Sequence, residues 1–376
     1  MTRIEPMTTP VRSIALVLAA LAAAPALASD KIQKTSGGKA IVVDQVLQDS
    51  WDVVKYKKGT VEVPENPSKI RQIIYGDAPE KFDLGIDKRE AGEFENAVSL
   101  LKAAETEKGV RAWIKVYAPF EIGKTYLAWG AKDKAKFADA TREFDRALQA
   151  DQKTRLRPDI LYQRAKAWLG AGNSDKAVAD LDQLGKEAID NKYGVTWEIK
   201  AARDKADALD QAGKNDDAKR EYSRLETNCR SFMGRQDLEE SERALAAETA
   251  GIARLAQGRV LIRDNKAADA ERFFSAIIDD KKEVDAVHAV AWVSKGMALE
   301  AQKKLKDAQF AFAQAKVCFV TAPDAVAEAT YRLGLVTEAL GAAEPRGAKL
   351  AQEWYREVVA RFPSTRWAQL SREKIH

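Results

Sequence analysis

The chain repeats a helical pattern of small and large residues along most of its length. In the copy that contains Ala165, the large Trp168 follows three positions later, Gly172 seven later, Ala177 twelve later and Leu181 sixteen later. Residues three, four and seven apart share one face of a helix. The pattern therefore predicts two amphipathic helices joined by a short turn. The small residues allow the helices to approach closely, and the large residue fills the remaining gap.

Seven copies of this repeat frame can be placed on the chain. Successive small positions lie 38 to 52 residues apart, and they are Gly85, Gly123, Ala165, Ala206, Gly258, Gly296 and Gly334. The large residues expected opposite them are Leu101, Phe144, Leu181, Tyr222, Phe274, Phe312 and Tyr355. Gly92, Gly172 and Gly213 are predicted to end first helices in the left-handed conformation that other residues resist.

The segment before the repeats has a different composition. Clusters of β-branched and aromatic residues lie at 41–43, 53–56, 60–63 and 70–75. Turn residues such as Gly59 and Pro64 separate them, which predicts three or four short strands. About 35 residues form only a marginal core alone, so we expect a small β-rich segment at 40–77 that packs on the first helices as a cap. Residues 29–39 are interpreted as a flexible leader.

The first 28 residues have the layout of a secretory signal peptide. Arg3 and Arg12 precede an apolar stretch at 14–24, and a run of small residues ends at Ala28. We therefore expect cleavage after Ala28 and export to the periplasm or the extracellular space. An uncleaved anchor is the alternative, but a spanning helix needs about 20 apolar residues. No later segment meets that length, so the mature chain is expected to be soluble.

Composition excludes several classes of function. Of the 376 residues, 45% are hydrophobic and 31% are charged, which suffices for a buried core, and the net charge of +4 is mild for a nucleic-acid binder. His288 and His376 are the only histidines, and neither lies at metal-ligand spacing from a cysteine. The chain shows no nucleophile with a base and no phosphate-binding glycine loop. We therefore expect no catalytic residue, no metal, no cofactor and no nucleic-acid partner.

The repeat frame resembles the tetratricopeptide (TPR) family, whose pattern places Trp, Leu-Gly, Tyr, Ala, Phe and Pro at fixed offsets in units of about 34 residues. The resemblance covers residues 78–376 and is strongest in the unit Trp292 to Phe319 and in the closing sequence from Arg361 to Ser364, which is similar to exported bacterial TPR proteins. It implies an all-α, right-handed α-solenoid of about seven TPR-like hairpins. Around Thr227 to Ala250 a different α-solenoid stays open.

The resemblance also implies where a partner would bind. In TPR arrays the exposed positions of each first helix line the concave side. These offsets select Tyr162, Lys166, Lys200, Arg203, Leu255, Arg259, Arg263, Met297 and Tyr331. Apolar anchors beside basic residues favour a protein or peptide partner, with an acidic segment or a free carboxylate opposite the basic middle of the groove. The alternative is that the apolar members pack against the neighbouring repeat.

Two hypotheses about function follow. The first is a non-catalytic protein–protein interaction scaffold of the cell envelope that holds its partner in the concave groove. The second is a structural module that assembles with itself, with the β-rich segment as an end-to-end contact, or an accessory subunit of an exported complex. Capture of a partner by the groove would distinguish the first hypothesis from the second.

Overall fold

A computed structural model describes residues 29–341 and 345–375, and the predicted signal peptide lies outside this part of the chain. The described residues form a β module followed by a helical array. The strands are β1 (Asp30–Lys34), β2 (Ile41–Val43), β3 (Gln45–Asp49), β4 (Val54–Lys58), β5 (Val61–Glu65) and β6 (Ile70–Ile74). The helices are α1 (Glu80–Glu90), α2 (Phe94–Glu105), α3 (Ile114–Gly130), α4 (Lys136–Ala150), α5 (Arg157–Gly170), α6 (Ser174–Asp190), α7 (Val195–Gln211), α8 (Asn215–Met233), α9 (Glu240–Arg263), α10 (Ala267–Ile278), α11 (Asp285–Ala301), α12 (Leu305–Cys318), α13 (Pro323–Gly341), α14 (Pro345–Arg361) and α15 (Arg366–Arg372).

Helices α1 to α14 pair in chain order into seven hairpins, and the predicted repeat frame is confirmed by the contacts inside them. A methyl group placed on Gly123 would lie 2.6 Å from the ring of Phe144, and one on Gly258 would lie 2.5 Å from the ring of Phe274. Both rings are fully buried. Each of these hairpins is therefore closed by an aromatic ring that rests directly on the backbone of a glycine.

The turns inside the hairpins use the left-handed conformation at a fixed place. Gly92, Gly172 and Gly213 have φ angles of 78°, 77° and 72°, as predicted. In the fifth and sixth hairpins Asn265 and Lys303 take the same place with φ angles of 59° and 61°. Asn adopts this conformation more often than most residues but less specifically than Gly, and Lys adopts it rarely. The glycine pattern therefore did not indicate these two turns.

The junction between the fourth and fifth hairpins keeps the TPR-like arrangement. Here α8 has 19 residues and α9 has 24. Helix α9 packs on both α8 and α10, and its contact with α8 is the more extensive one. Tyr222 and Cys229 of α8 share one buried cluster with Ala246 and Ala253 of α9. The alternative α-solenoid considered for this region is therefore not what the chain forms.

The array curves with its first helices on the inside. Neighbouring first helices, such as α3 and α5 or α9 and α11, pack against each other along the whole array. Neighbouring second helices make no comparable contact within the described residues. Closer packing on one side bends a stack of hairpins toward that side, so the first helices line a concave groove.

The β module is larger than the sequence pattern predicted. It contains two antiparallel three-stranded sheets, ordered β2-β1-β6 and β3-β4-β5, around Ile32, Val54, Tyr56 and Ile73. The prediction of a flexible leader at 29–39 is wrong at its start, because β1 is the central strand of the first sheet. The sequences of β1 and β3 are Asp-Lys-Ile-Gln-Lys and Gln-Val-Leu-Gln-Asp. Because these residues are mostly polar, the sequence pattern did not predict the two strands.

The β module lies along one side of the array and reaches beyond its first helices. Trp51 donates its backbone N–H to the carbonyl of Lys153 at 2.9 Å, in the loop between the second and third hairpins. The ring of Trp51 also packs edge-on against Tyr193 at 6.0 Å, in the loop before the fourth hairpin. The module packs on Trp113 and Tyr117 at the start of α3, in line with the expected cap on the first helices, and it also covers the loops that join the second, third and fourth hairpins.

Candidate functional site

Two aromatic rings and two lysines form a cluster on the concave side of the third and fourth hairpins. Tyr162 of α5 and Trp197 of α7 pack edge to face with centroids 5.9 Å apart. Lys166 Nζ lies 5.5 Å from the Tyr162 ring, and Lys200 Nζ lies 5.0 Å from the Trp197 ring. Both lysines are exposed, and neither forms an ion pair with any described residue. We call these four residues the groove cluster.

The structure thus brings together three of the residues selected from the sequence, namely Tyr162, Lys166 and Lys200. Trp197 was missed because it lies outside the offsets taken from the repeat frame, six residues before Arg203. The signal available in the sequence was the aromatic residue itself, one turn before Lys200. Burial, followed by the nearby carboxylate of Asp204, raises the pKa of Tyr162, so its phenol stays protonated at neutral pH.

The predicted basic middle of the groove is partly neutralised by acids of the chain itself. Arg203 Nε lies 4.0 Å from a carboxylate oxygen of Asp207 on the same helix. Arg263 forms an ion pair with Asp210 of the preceding hairpin. These two arginines therefore offer less free positive charge than the residue pattern suggested.

Arg259 differs from these two arginines. Its side chain is half-buried on α9, and its Nε donates to Ser294 Oγ of α11 at 3.3 Å. No carboxylate among the described residues forms an ion pair with it. Burial lowers the pKa of Arg259, and the charge of Glu328 opposes this effect only in part.

The structure contradicts the prediction that Leu255 binds a partner. Its side chain is 7% exposed and packs in a buried cluster that also contains Phe274 and Val287. Leu255 therefore joins the fifth hairpin to the sixth, and the alternative of repeat packing holds for it.

The other two apolar members of the predicted set are half-buried. Met297 packs against the buried cluster of the sixth hairpin. The ring of Tyr331 lies between Tyr355, at 5.8 Å, and Trp367 of α15, at 5.5 Å. Helix α15 was not predicted, and it occupies much of the surface that the sequence left open around Tyr331.

The described residues also bear on metal binding, nucleophilic chemistry and membrane insertion. No group of three His, Cys, Asp or Glu side chains there is arranged to hold a metal ion. Burial raises the pKa of the Cys229 thiol to about 11, which makes it a poor nucleophile at neutral pH. None of the helices between residues 29 and 375 combines the length and the apolar character needed to span a membrane.

Comparison with known proteins bears on the fold. The sequence matches no protein-family model and no curated protein. The apo form of RapI shares 10% identity, with 78% of this chain and 79% of that chain aligned and a TM-score of 0.51. A TPR protein from Parabacteroides merdae shares 16% identity over 79% of this chain and 96% of its own, with a TM-score of 0.43. NprR in complex with its cognate peptide NprX shares 14% identity over 78% and 83%, with a TM-score of 0.37.

The likeness to RapI confirms the predicted resemblance to TPR-type repeat proteins and the α-solenoid fold behind a small β module. At this level of identity the likeness concerns the arrangement of the helices. The chemistry of the groove depends on the side chains of this chain.

Proposed function

We propose that the chain is a non-catalytic scaffold that holds a partner protein or peptide in the concave groove of its TPR-like array. The observation that carries this proposal is the groove cluster, because neither of its lysines forms an ion pair with a described residue. Lys166 and Lys200 place free ammonium groups beside an aromatic pair on two successive hairpins. Aromatic anchors beside cations are the residue types that dominate binding energy in protein interfaces.

The spacing of the cluster suits an extended or helical segment. Tyr162 and Trp197 come from neighbouring first helices, and a segment that follows the groove would contact both. The lysine ammonium groups lie over the rings and remain accessible to water. Acidic or carbonyl groups of a partner can replace that water. The cluster therefore favours a polar segment with at least one apolar anchor.

Site-specific photo-cross-linking tests the proposal. A photoreactive amino acid is placed at position 166 or 200, and at position 220 on the outer surface of α8 as the control. The expected result is that one partner is captured from both groove positions and not from position 220. Tyr162→Ala with Trp197→Ala should abolish that capture while helicity is kept.

Two outcomes would contradict the scaffold. Equal capture from positions 166, 200 and 220 would show that the groove has no special role. Capture of a second copy of the chain from the groove positions would favour the self-assembling module in its place.

We propose further that the chain is exported and acts in the cell envelope. The support is the arrangement of Arg12, the apolar stretch at 14–24 and the small residues up to Ala28. The mature chain would then begin at Ser29, directly before β1. N-terminal sequencing of the protein recovered from the envelope fraction tests this, and a start before residue 14 would refute it.

A further inference from the structure

The guanidinium of Arg259 is held in place by the fold but is not neutralised by it. Its Nε is bound to Ser294 Oγ at 3.3 Å, and Ser294 is itself fully buried. The two Nη atoms have no hydrogen-bond partner in the described residues, and they are not among its fully buried unpaired atoms. The Nη donors of Arg259 are therefore unused and not fully buried.

The charges around Arg259 do not compensate for it. The charged groups that act on it are Glu328, Arg332, Arg263 and Arg366. The only acid of this set, Glu328, already accepts a hydrogen bond from Arg332 Nε at 3.0 Å. Arg366, on α15, is exposed and has no acidic partner in the described chain. Arg259 and Arg366 therefore form no ion pair in the described chain, and the one acid that acts on Arg259 is shared with Arg332.

An unpaired guanidinium with this environment disfavours the folded chain. Its hydration is reduced by burial, and three further positive charges act on it. An anion in the groove would remove both disadvantages, because a guanidinium fork binds two carboxylate oxygens at once. Phosphate would also satisfy the charge, but the partner proposed above is a polypeptide, whose common anions are carboxylates.

We infer that Arg259, supported by Ser294 and assisted by Arg366, forms a carboxylate-binding site at the C-terminal end of the groove. This inference rests on the proposed function, and it names an acidic group of the partner as the second anchor beside the groove cluster. The carboxylate can come from an Asp or Glu side chain or from the C-terminus of a peptide. The site replaces the expected basic middle around Arg203 and Arg263, whose charges are partly neutralised by Asp207 and Asp210.

Fluorescence anisotropy with three labelled peptides tests the site on the full mature chain. The probes are hexaglutamate with an amidated C-terminus, hexaglutamine with a free C-terminal carboxylate, and amidated hexaglutamine. Binding of the first probe indicates side-chain carboxylates, and binding of the second indicates a terminal carboxylate. The third probe should not bind, since it carries no carboxylate.

The double variant Arg259→Gln with Arg366→Gln should raise the Kd of the probe that binds by about tenfold or more. The loss of one charged hydrogen bond is enough to change a Kd by about this factor. The matched control is Arg220→Gln with Arg272→Gln, which makes the same charge change at exposed positions of α8 and α10. Equal weakening by the two double variants would mean long-range attraction and would overturn the site. Failure of both carboxylate probes to bind better than amidated hexaglutamine would overturn it as well.

Thermal unfolding separates a binding role from a structural one. Arg259→Gln should leave the melting temperature unchanged or raise it, because it removes an uncompensated charge. Arg164→Gln is the comparison, since Arg164 is bound to Asp180 and Asp145 and its loss should lower the melting temperature. Equal losses for the two variants would make Arg259 a structural residue and would overturn the inference.

The outcomes also separate this inference from the proposed function. Cross-linking from positions 166 and 200 without carboxylate binding would mean a partner held by the groove cluster alone. Carboxylate binding without groove cross-linking would retain the site at Arg259 and refute the scaffold.

Discussion

At the residue scale, the hairpins depend on glycines that leave room for a ring of the opposite helix. The rings of Phe312 and Tyr355 fill the space that a methyl group on Gly296 or Gly334 would need. Gly185 of α6 is different, since a methyl group there would lie 3.8 Å from its nearest neighbour, Ala201 Cβ. The same residue type thus has a packing role at some positions and none at another.

This difference predicts opposite signs for one substitution. Gly296→Ala should lower the free energy of unfolding by about 1 to 3 kcal/mol, because the ring of Phe312 must move. Gly185→Ala should raise it by about 0.4 to 1 kcal/mol, because alanine stabilises a helix interior and ordinary space is available. Urea unfolding of both variants checks the prediction. A change of the same sign in the free energy of unfolding for both variants would show that the contact between Gly296 and Phe312 does not restrict the size of residue 296.

At the scale of elements, buried carboxylates hold the β module to the helical array. Asp30 accepts hydrogen bonds from the backbone N–H groups of Val46 and Gly76 and from Arg111, at 2.6 to 2.9 Å. Arg111 also donates to Asp77 at 2.6 Å. One arginine before α3 therefore joins β1, β3 and the end of β6, so the β module and the first hairpins should unfold together.

The junction should weaken in acid. Burial raises the pKa of Asp77, but hydrogen bonds from Arg111 and Trp113 outweigh it and leave the pKa below the ordinary value of 3.8. A carboxyl group with a depressed folded pKa stabilises fully above its ordinary pKa and loses this effect as pH falls through the folded pKa. Asp77→Asn should therefore lower the melting temperature at neutral pH, and the difference from the parent should shrink below about pH 4.

A comparison variant separates this effect from general acid destabilisation. Asp139→Asn removes an acid that pairs with the exposed Arg142, and exposed pairs contribute little at any pH. A difference between Asp77→Asn and the parent that stays constant from neutral to acid pH would contradict the role given to the Asp77 charge.

At the scale of the whole molecule, each hairpin packs mainly on its neighbours, and the last one is closed by α15. Thr365 Oγ1 accepts a hydrogen bond from Ala368 N at 3.2 Å and so begins this helix. Trp367 is 8% exposed and packs on Tyr331 and Val358 of the seventh hairpin. In a stack of this kind the loss of a terminal contact should affect the nearest hairpin first.

Trp367→Ala should therefore loosen the C-terminal end selectively. Replacement of a buried tryptophan by alanine typically lowers the free energy of unfolding by about 3 to 5 kcal/mol. Hydrogen exchange should accelerate in α13 and α14 and stay near the parent rate in α5 and α6. Phe310→Ala is the control, because Phe310 is 60% exposed on α12 and its loss should change exchange little. Uniform acceleration along the array would show that the repeats unfold as a single unit.

The sequence determined the repeat frame by itself, because small and large residues at helical spacing leave few ways to pack a hairpin. It also placed Tyr162, Lys166 and Lys200 together, since consecutive units present equivalent positions to one groove. Strands β1 and β3 were not predictable, because their stability comes from pairing and from the buried carboxylate of Asp30.

Only the tertiary structure decided which basic residues of the groove remain available. Arg203 lies four residues before Asp207 on α7, so this pair can be read from the sequence. The pairing of Arg263 with Asp210 of another helix, and the lack of an ion pair at Arg259 among the described residues, cannot. The burial of Leu255 and the packing of Trp367 from α15 on Tyr331 also could not be predicted from the sequence. Burial and the ion pairs between helices depend on residues brought together from separate parts of the chain, whereas helical periodicity is local and can be read from the sequence.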